Sequence, residues 1–170
     1  MKSLIFGLVA IGLLTATLVG KRQADHEPVY NGQPLSRWID DCGFVWWSNR
    51  HIFNDGNSAE FLHSKEGNAK LALRSAGEKA LPYLIRDLHE HDSPFVTLYY
   101  AVLVRVPFQL TELLPHPNIA AQKKTSAAIA LQAIGPAFVA AIPDLLKLLT
   151  DDDAEVRTAA QETLRIIRAE

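Results

Sequence analysis

Hydrophobic and polar positions divide this chain into an apolar leader, a weakly periodic middle and a strongly helix-periodic end. Leu4 to Gly20 is an apolar run with no charge inside it, with Lys2 before it and Lys21-Arg22 after it. From Ala120 onward, apolar residues recur every three or four positions, the spacing of helices that bury one face. The pattern predicts helix, turn, helix, turn, helix. Asn118 is placed to cap the first helix, whose inner face carries Ala127, Leu131 and Ile134. Gly135-Pro136 ends it, because glycine permits a left-handed exit and proline prevents continuation. The second helix starts near Ala140 and ends at Thr150, with Ile142, Leu145, Leu146 and Leu149 expected inside. Pro143 is tolerated in its first turn, where there is no intrahelical donor to lose. Asp151 to Asp153 bring carboxylates to the start of the third helix, Ala154 to about Arg168, where Asp153 can cap free amides. Val156, Ala160, Leu164 and Ile167 form its inner stripe, with Ile166 at the margin.

The periodic end has copies. Ala130-Leu131-Gln132-Ala133-Ile134 and Thr163-Leu164-Arg165-Ile166-Ile167 match at an offset of 33, which points to a repeat rather than an isolated hairpin. Leu73 to Gly77 followed by Ala80 to Leu84 matches Leu131 to Gly135 followed by Ala141 to Leu145, with a linker three residues shorter. Two parts depart from the array. Cys42 to Gly56, with Trp46 and Trp47, reads as a loop or short helix closing the amino-terminal end. Pro94 to Pro117 is extra, and its apolar run Phe95 to Phe108, broken by Thr97 and Arg105, reads as a buried helix ended by Pro107. At 14 residues that run is too short to span a bilayer.

Gly135-Pro136, Ile142-Pro143 and Asp153-Ala154-Glu155-Val156-Arg157 together resemble HEAT-repeat proteins, in which a Gly-Pro turn, an Ile-Pro helix entry and an Asp-x-x-Val-Arg start recur. Val29 to Trp38, VYNGQPLSRW, resembles the Tyr-x-Gly-x-Pro-Leu-Ser-x-Trp opening of small exported or membrane-anchored bacterial HEAT-repeat proteins. The resemblance implies an all-α fold: a short HEAT-like, armadillo-like α-solenoid of antiparallel helix pairs behind an N-terminal hydrophobic helix. Residues 1–22 are then a signal-anchor or signal peptide, 23–33 a linker, and 34–170 the helical domain, with an insert at about 94–117.

A bilayer core of about 30 Å needs about 20 helical residues and at least about 17, so Leu4–Gly20 is just long enough to be a transmembrane helix. A signal peptidase cut after Gly20 or Ala16 places Leu18 or Leu14 at the -3 position, where a small residue is needed. An uncleaved membrane anchor is therefore expected; cleavage would leave a secreted protein. Lys2 and the amino terminus nearly balance Lys21-Arg22, and we take the bulk of the chain as exported, periplasmic or extracellular.

Charge narrows the partners. Seventeen basic and 19 acidic residues give a net charge of -2, with no basic excess for a phosphate backbone, so no nucleic acid is expected. A single cysteine, Cys42, excludes an intramolecular disulfide and any site built from several thiolates. His89-Glu90-His91-Asp92 is the densest set of metal-ligand types, yet helical neighbours diverge by about 100°, and the cluster reads as a solvated helix end. Cys42 and His51 could imitate a nucleophile and its base, but nothing marks an orienting group or an oxyanion site. The triple aspartate lacks the alternating ligands and terminal glutamate of a calcium loop.

No catalytic, cofactor-binding or metal residue is assigned, and no small-molecule substrate is evident. The expectation is a noncatalytic protein-binding scaffold with an unidentified protein partner, held at a membrane through residues 4–20. Trp46, Trp47, Tyr99, Tyr100 and Ile166 are the candidate partner residues, since interface anchors favour aromatic and large apolar side chains. The alternative is a HEAT-like enzyme or enzyme subunit resembling bilin lyases or DNA glycosylases, which rests on fold analogy.

Overall fold

The computed structural model describes residues 27–51, 59–107, 111, 114, 118–134 and 139–169. The leader Leu4–Gly20, the linker as far as His26, the Gly135-Pro136 turn and the side chains of Trp47 and Ile167 lie outside the described residues. The described chain is mostly helical, with a single two-stranded hairpin. Asn31 and Gly32 both have positive φ, 50° and 76°, the requirement of the tight turn whose twist matches paired strands. That turn joins β1 (Val29–Tyr30) to the antiparallel β2 (Gln33–Pro34) at the end of what the sequence suggested was linker.

The Leu35 amide then donates to the Pro28 carbonyl at 3.0 Å, and α1 (Leu35–His51) begins. This helix runs through Cys42, Trp46 and Trp47 to His51, where the sequence suggested a loop or short helix. The physical reason is burial: Leu35, Trp38, Ile39, Cys42 and Val45 are spaced at three and four, and all are buried. Trp38 closes the entry by donating from its indole nitrogen to the Tyr30 carbonyl at 2.9 Å.

α2 (Ala59–Ala76) ends at Gly77, which has φ 52°, a left-handed exit that glycine makes without strain. One 3-10 turn, Gly77–Ala80, leads into α3 (Leu81–Leu88), with Pro82 in its first turn. Later come α5 (Ala120–Leu131), α6 (Ile142–Leu148) and α7 (Ala154–Ala169). Asp153 caps α7 as expected, its carboxylate accepting from the amides of Glu155 at 2.8 Å and Val156 at 3.2 Å. On α6 the inner face differs from expectation: Leu145 and Leu148 are buried, Ile142 is half-buried, and Leu146 and Leu149 are exposed. With only seven residues, this helix presents one short stripe, and Ala141, Leu145 and Leu148 occupy it.

Internal contacts separate the chain into two compact units, one made of Pro28–Glu90 with Ala120–Glu170 and the other containing His91–Ile119. In the first unit α5 is the hub, packing against α1, α3 and α7 at once. Every residue from Thr125 to Leu131 is buried, so the helix has no solvent face there. α1 also packs on α2, and α6 on α7 and α3. Small residues permit this crowding: Ala127, Ala128 and Ala130 on α5 meet a core that includes Ala69, Ala72 and Ala76 of α2 and Ala159 and Ala160 of α7.

In the second unit α4 spans Pro94–Leu103, with Pro94 in its first turn and Ser93 capping it by accepting from the Val96 amide at 3.3 Å. The helix lies where the apolar run placed it and stops at Leu103, before Pro107. It is not the buried helix suggested by that run. Tyr99 and Leu103 are buried, while Phe95, Leu98 and Val104 just beyond its end are 63%, 60% and 79% exposed.

Candidate functional site

The residues singled out by their chemistry go to different places. His89 ends α3, with Nδ1 3.0 Å from the Ile85 carbonyl and Nε2 3.1 Å from an Asp144 carboxylate oxygen on α6. Glu90 turns instead to Lys123 of α5, at 2.8 Å, and His91 and Asp92 are exposed. The backbone thus sends consecutive residues to separate helices. Among the described residues, no group of three or more His, Cys, Asp or Glu side chains is placed to hold a metal ion.

Cys42 and His51 lie on the same helix nine residues apart, a rise of about 13 Å at 1.5 Å per residue, so they do not form a dyad. Cys42 lines a pocket of about 250 Å³ with Val45, Trp46, Glu66, Lys70, Ile129 and Gln132. Burial pushes its thiol up to about 12, and the nearby Lys70 ammonium only partly opposes this. A thiol so raised stays protonated at neutral pH and is a poor nucleophile.

The polar side chains Trp46, Glu66, Lys70 and Gln132 that line the pocket each have a partner. Glu66 and Lys70 form an ion pair one turn apart on α2. The Trp46 indole nitrogen donates to a Glu162 carboxylate oxygen at 2.7 Å, joining α1 to α7. The Gln132 side-chain amide donates to the Thr163 hydroxyl at 2.9 Å, and that fully buried hydroxyl donates to the Ala128 carbonyl at 2.8 Å. Buried polar atoms so satisfied fix the register of the helices that carry them.

Other charges pin the edges of the bundle. Asp41, buried on α1, meets Lys65 of α2 at 2.9 Å. Lys65 also lies 4.5 Å from the centre of the Phe44 ring, close enough for cation–π attraction. Burial raises the Asp87 carboxyl above its ordinary range, opposed by hydrogen bonds from the neighbouring Arg86 guanidinium at 2.9 and 2.8 Å. Lys124 of α5 reaches Asp151 at 2.7 Å, and Arg157 donates to the carbonyls of Asp151 at 2.7 Å and Asp152 at 2.9 Å. The carboxylates of Asp151 and Asp153 are therefore occupied by pairing and capping.

Of the five candidate partner residues, Tyr99 is buried and meets Tyr100 edge to face, with ring centres 5.8 Å apart. Trp46 is half-buried and engaged with Glu162, and Trp47 belongs to α1 by its backbone. Ile166 is 36% exposed on α7, at the margin where the wheel put it. The Gln132–Thr163 pair was missed from the sequence. Thr163 did carry a signal, since it lies seven residues after Val156 and so on the inner stripe of α7. No family model, curated protein or solved structure matches this chain.

Proposed function

We propose that this chain is a noncatalytic HEAT-like scaffold, a short α-solenoid of antiparallel helix pairs, tethered to a membrane by Leu4–Gly20 with its bulk exported, and that it binds a protein partner. The observation that carries the reading is the start of α7. There Asp153 caps the helix, Val156 is fully buried, and Arg157 closes the preceding turn through the Asp151 and Asp152 carbonyls. Each residue of the HEAT-like Asp-x-x-Val-Arg start thus has a structural task. The packing of α5 on α7 adds support, because repeats bury their faces against neighbours. The noncatalytic part is supported by the Cys42 thiol, which burial holds protonated, and by pocket-lining polar groups that already have partners. Leu4–Gly20 supports the tether by its length and lack of charge.

The partner surface is assigned to the exposed side of α7 around Ile166. A photo-crosslinking residue at Ile166 in the full chain, produced in its cell of origin, tests the reading. A discrete protein adduct is expected at position 166, in membranes that retain the chain after carbonate washing. The same label at Leu71, exposed on α2, should give none. Equal labelling from both positions, or a chain released by carbonate, counts against it.

A further inference from the structure

His89 sets one ring between two acceptors. The His89 amide bonds the Arg86 carbonyl at 3.1 Å, and the ring takes the Ile85 carbonyl one turn back, with Nδ1 at 3.0 Å. Nε2 lies 3.1 Å from an Asp144 carboxylate oxygen on α6. A carbonyl and an ionised carboxylate can only accept. A neutral imidazole carries one N–H, so in either tautomer one of these contacts sets a lone pair against an oxygen. The imidazolium, with a proton on each nitrogen, satisfies both.

Two further observations favour the cation. His89 is the C-cap of α3, where the last carbonyls and the helix macrodipole attract positive charge. Asp144 is ionised wherever histidine titrates, because the Lys147 hydrogen bond leads in lowering its carboxyl from 3.8 and the charge of His89 adds to it against the pull of burial. The remaining charges compete weakly. Lys147 shares the same Asp144 oxygen at 2.9 Å, but its side chain is 68% exposed and so screened by solvent. Arg86, on the same helix as the ring, is turned to Asp87, and Glu90 is paired with Lys123 of α5. Glu78 and Lys79 of the 3-10 turn stand before the opposite end of α3.

The contact joins corresponding elements, since α3 and α6 follow the matching segments Ala80–Leu84 and Ala141–Leu145. α6 has only seven residues, too few to hold its own helix without tertiary ties. Asp144 lies in its first turn.

We propose that His89 and Asp144 form a pH-sensitive clamp between α3 and α6, closed while the ring carries both protons and open once it loses one. The clamp works within a window. On the acid side it ends where Asp144 takes up a proton, below the ordinary aspartate value of 3.8. On the alkaline side it ends where histidine gives one up, ordinarily near about pH 6.5. It therefore contributes stability below the histidine range and loses it as pH rises through that range.

The test is a double-mutant cycle of His89→Gln and Asp144→Asn in the full chain, read by urea denaturation at about pH 5.5 and about pH 8.5, on either side of the histidine range. Neither glutamine nor asparagine titrates there, and contributions from Lys147, Cys42 and the other ion pairs cancel in the cycle. At the lower pH the two losses are expected to be non-additive by about two- to fivefold in the unfolding equilibrium constant, the coupling of an exposed ion pair. At the higher pH they are expected to be additive. Equal coupling at both pH values overturns the switch and leaves a fixed hydrogen bond. Additive losses at both overturn the contact itself.

Discussion

Gly43 of α1 faces Ser126 of α5 so closely that a methyl group at position 43 would stand 2.8 Å from the Ser126 backbone. No real side chain keeps such an approach to main-chain atoms. The glycine is what lets α1 and the hub helix cross.

Gly43→Ala is therefore expected to destabilise the protein by about 1–3 kcal/mol through overpacking, despite a gain of up to about 1 kcal/mol in helix propensity. Adding Ser126→Gly should recover only part of the loss, because the clash with the main chain at position 126 remains. Urea denaturation of the two variants measures this. A Gly43→Ala protein as stable as the parent would mean the helices do not meet there.

Thr163→Val removes a hydroxyl while keeping the shape, leaving the buried Ala128 carbonyl and the half-buried Gln132 amide without this partner. The expected cost is about 1–3 kcal/mol for groups left unsatisfied. Gln132→Met in the same chain should restore some of it, since the stranded donor is then gone. A double-mutant cycle with simply additive losses would show the two side chains are not coupled.

The Cys42 thiol has its ordinary value near 9.0 in the unfolded chain and about 12 in the fold. Between these the unfolded state loses a proton that the native state keeps. Stability must therefore fall as pH rises through that window, by about 1.4 kcal/mol per pH unit. The stability difference between the parent and Cys42→Ala should be flat below pH 9 and shift by about 2 kcal/mol near pH 10.5. A constant difference across that range would place the thiol in contact with water.

Asp144 and Asp151 titrate in the opposite sense. The Lys147 hydrogen bond leads in lowering Asp144. At Asp151 burial pulls upward, but the Lys124 hydrogen bond, the Asp153 amide and the Arg157 charge outweigh it. Both carboxylates contribute stability above the ordinary aspartate value of 3.8, and lose it as pH falls through their lower folded values. Lys124→Met should cost about 1 kcal/mol at neutral pH and flatten the acid limb of the stability curve. An unchanged acid midpoint would remove Asp151 from the account.

The elements that the sequence made legible are those whose signals are local. Asp153 caps α7 by its own carboxylate, and Val156, Ala160 and Leu164 follow the helical period. The proline entries at Pro82 and Pro143 likewise stand in first turns. The rest depended on what each element meets in space. α1 was obscured because its apolar spacing passes through Gly43, which reads as a breaker until Ser126 is seen against it. An apolar run such as Phe95–Phe108 announces hydrophobic surface without saying which face, if any, the protein covers. The Trp46–Glu162 bond joins residues 116 positions apart, and no pattern within a helix announces such a pairing.

That last bond also orders events in time. α1 packs on its neighbour α2, but its packing against α5 and its indole bond to α7 wait for later segments, the last of them 116 positions after Trp46. At about 5–20 residues per second of synthesis, the wait is on the order of ten seconds. During it, one face of α1 has no native partner. A nascent chain stalled after α2 should accordingly recruit holdase chaperones, whereas one stalled beyond Glu170 should release them.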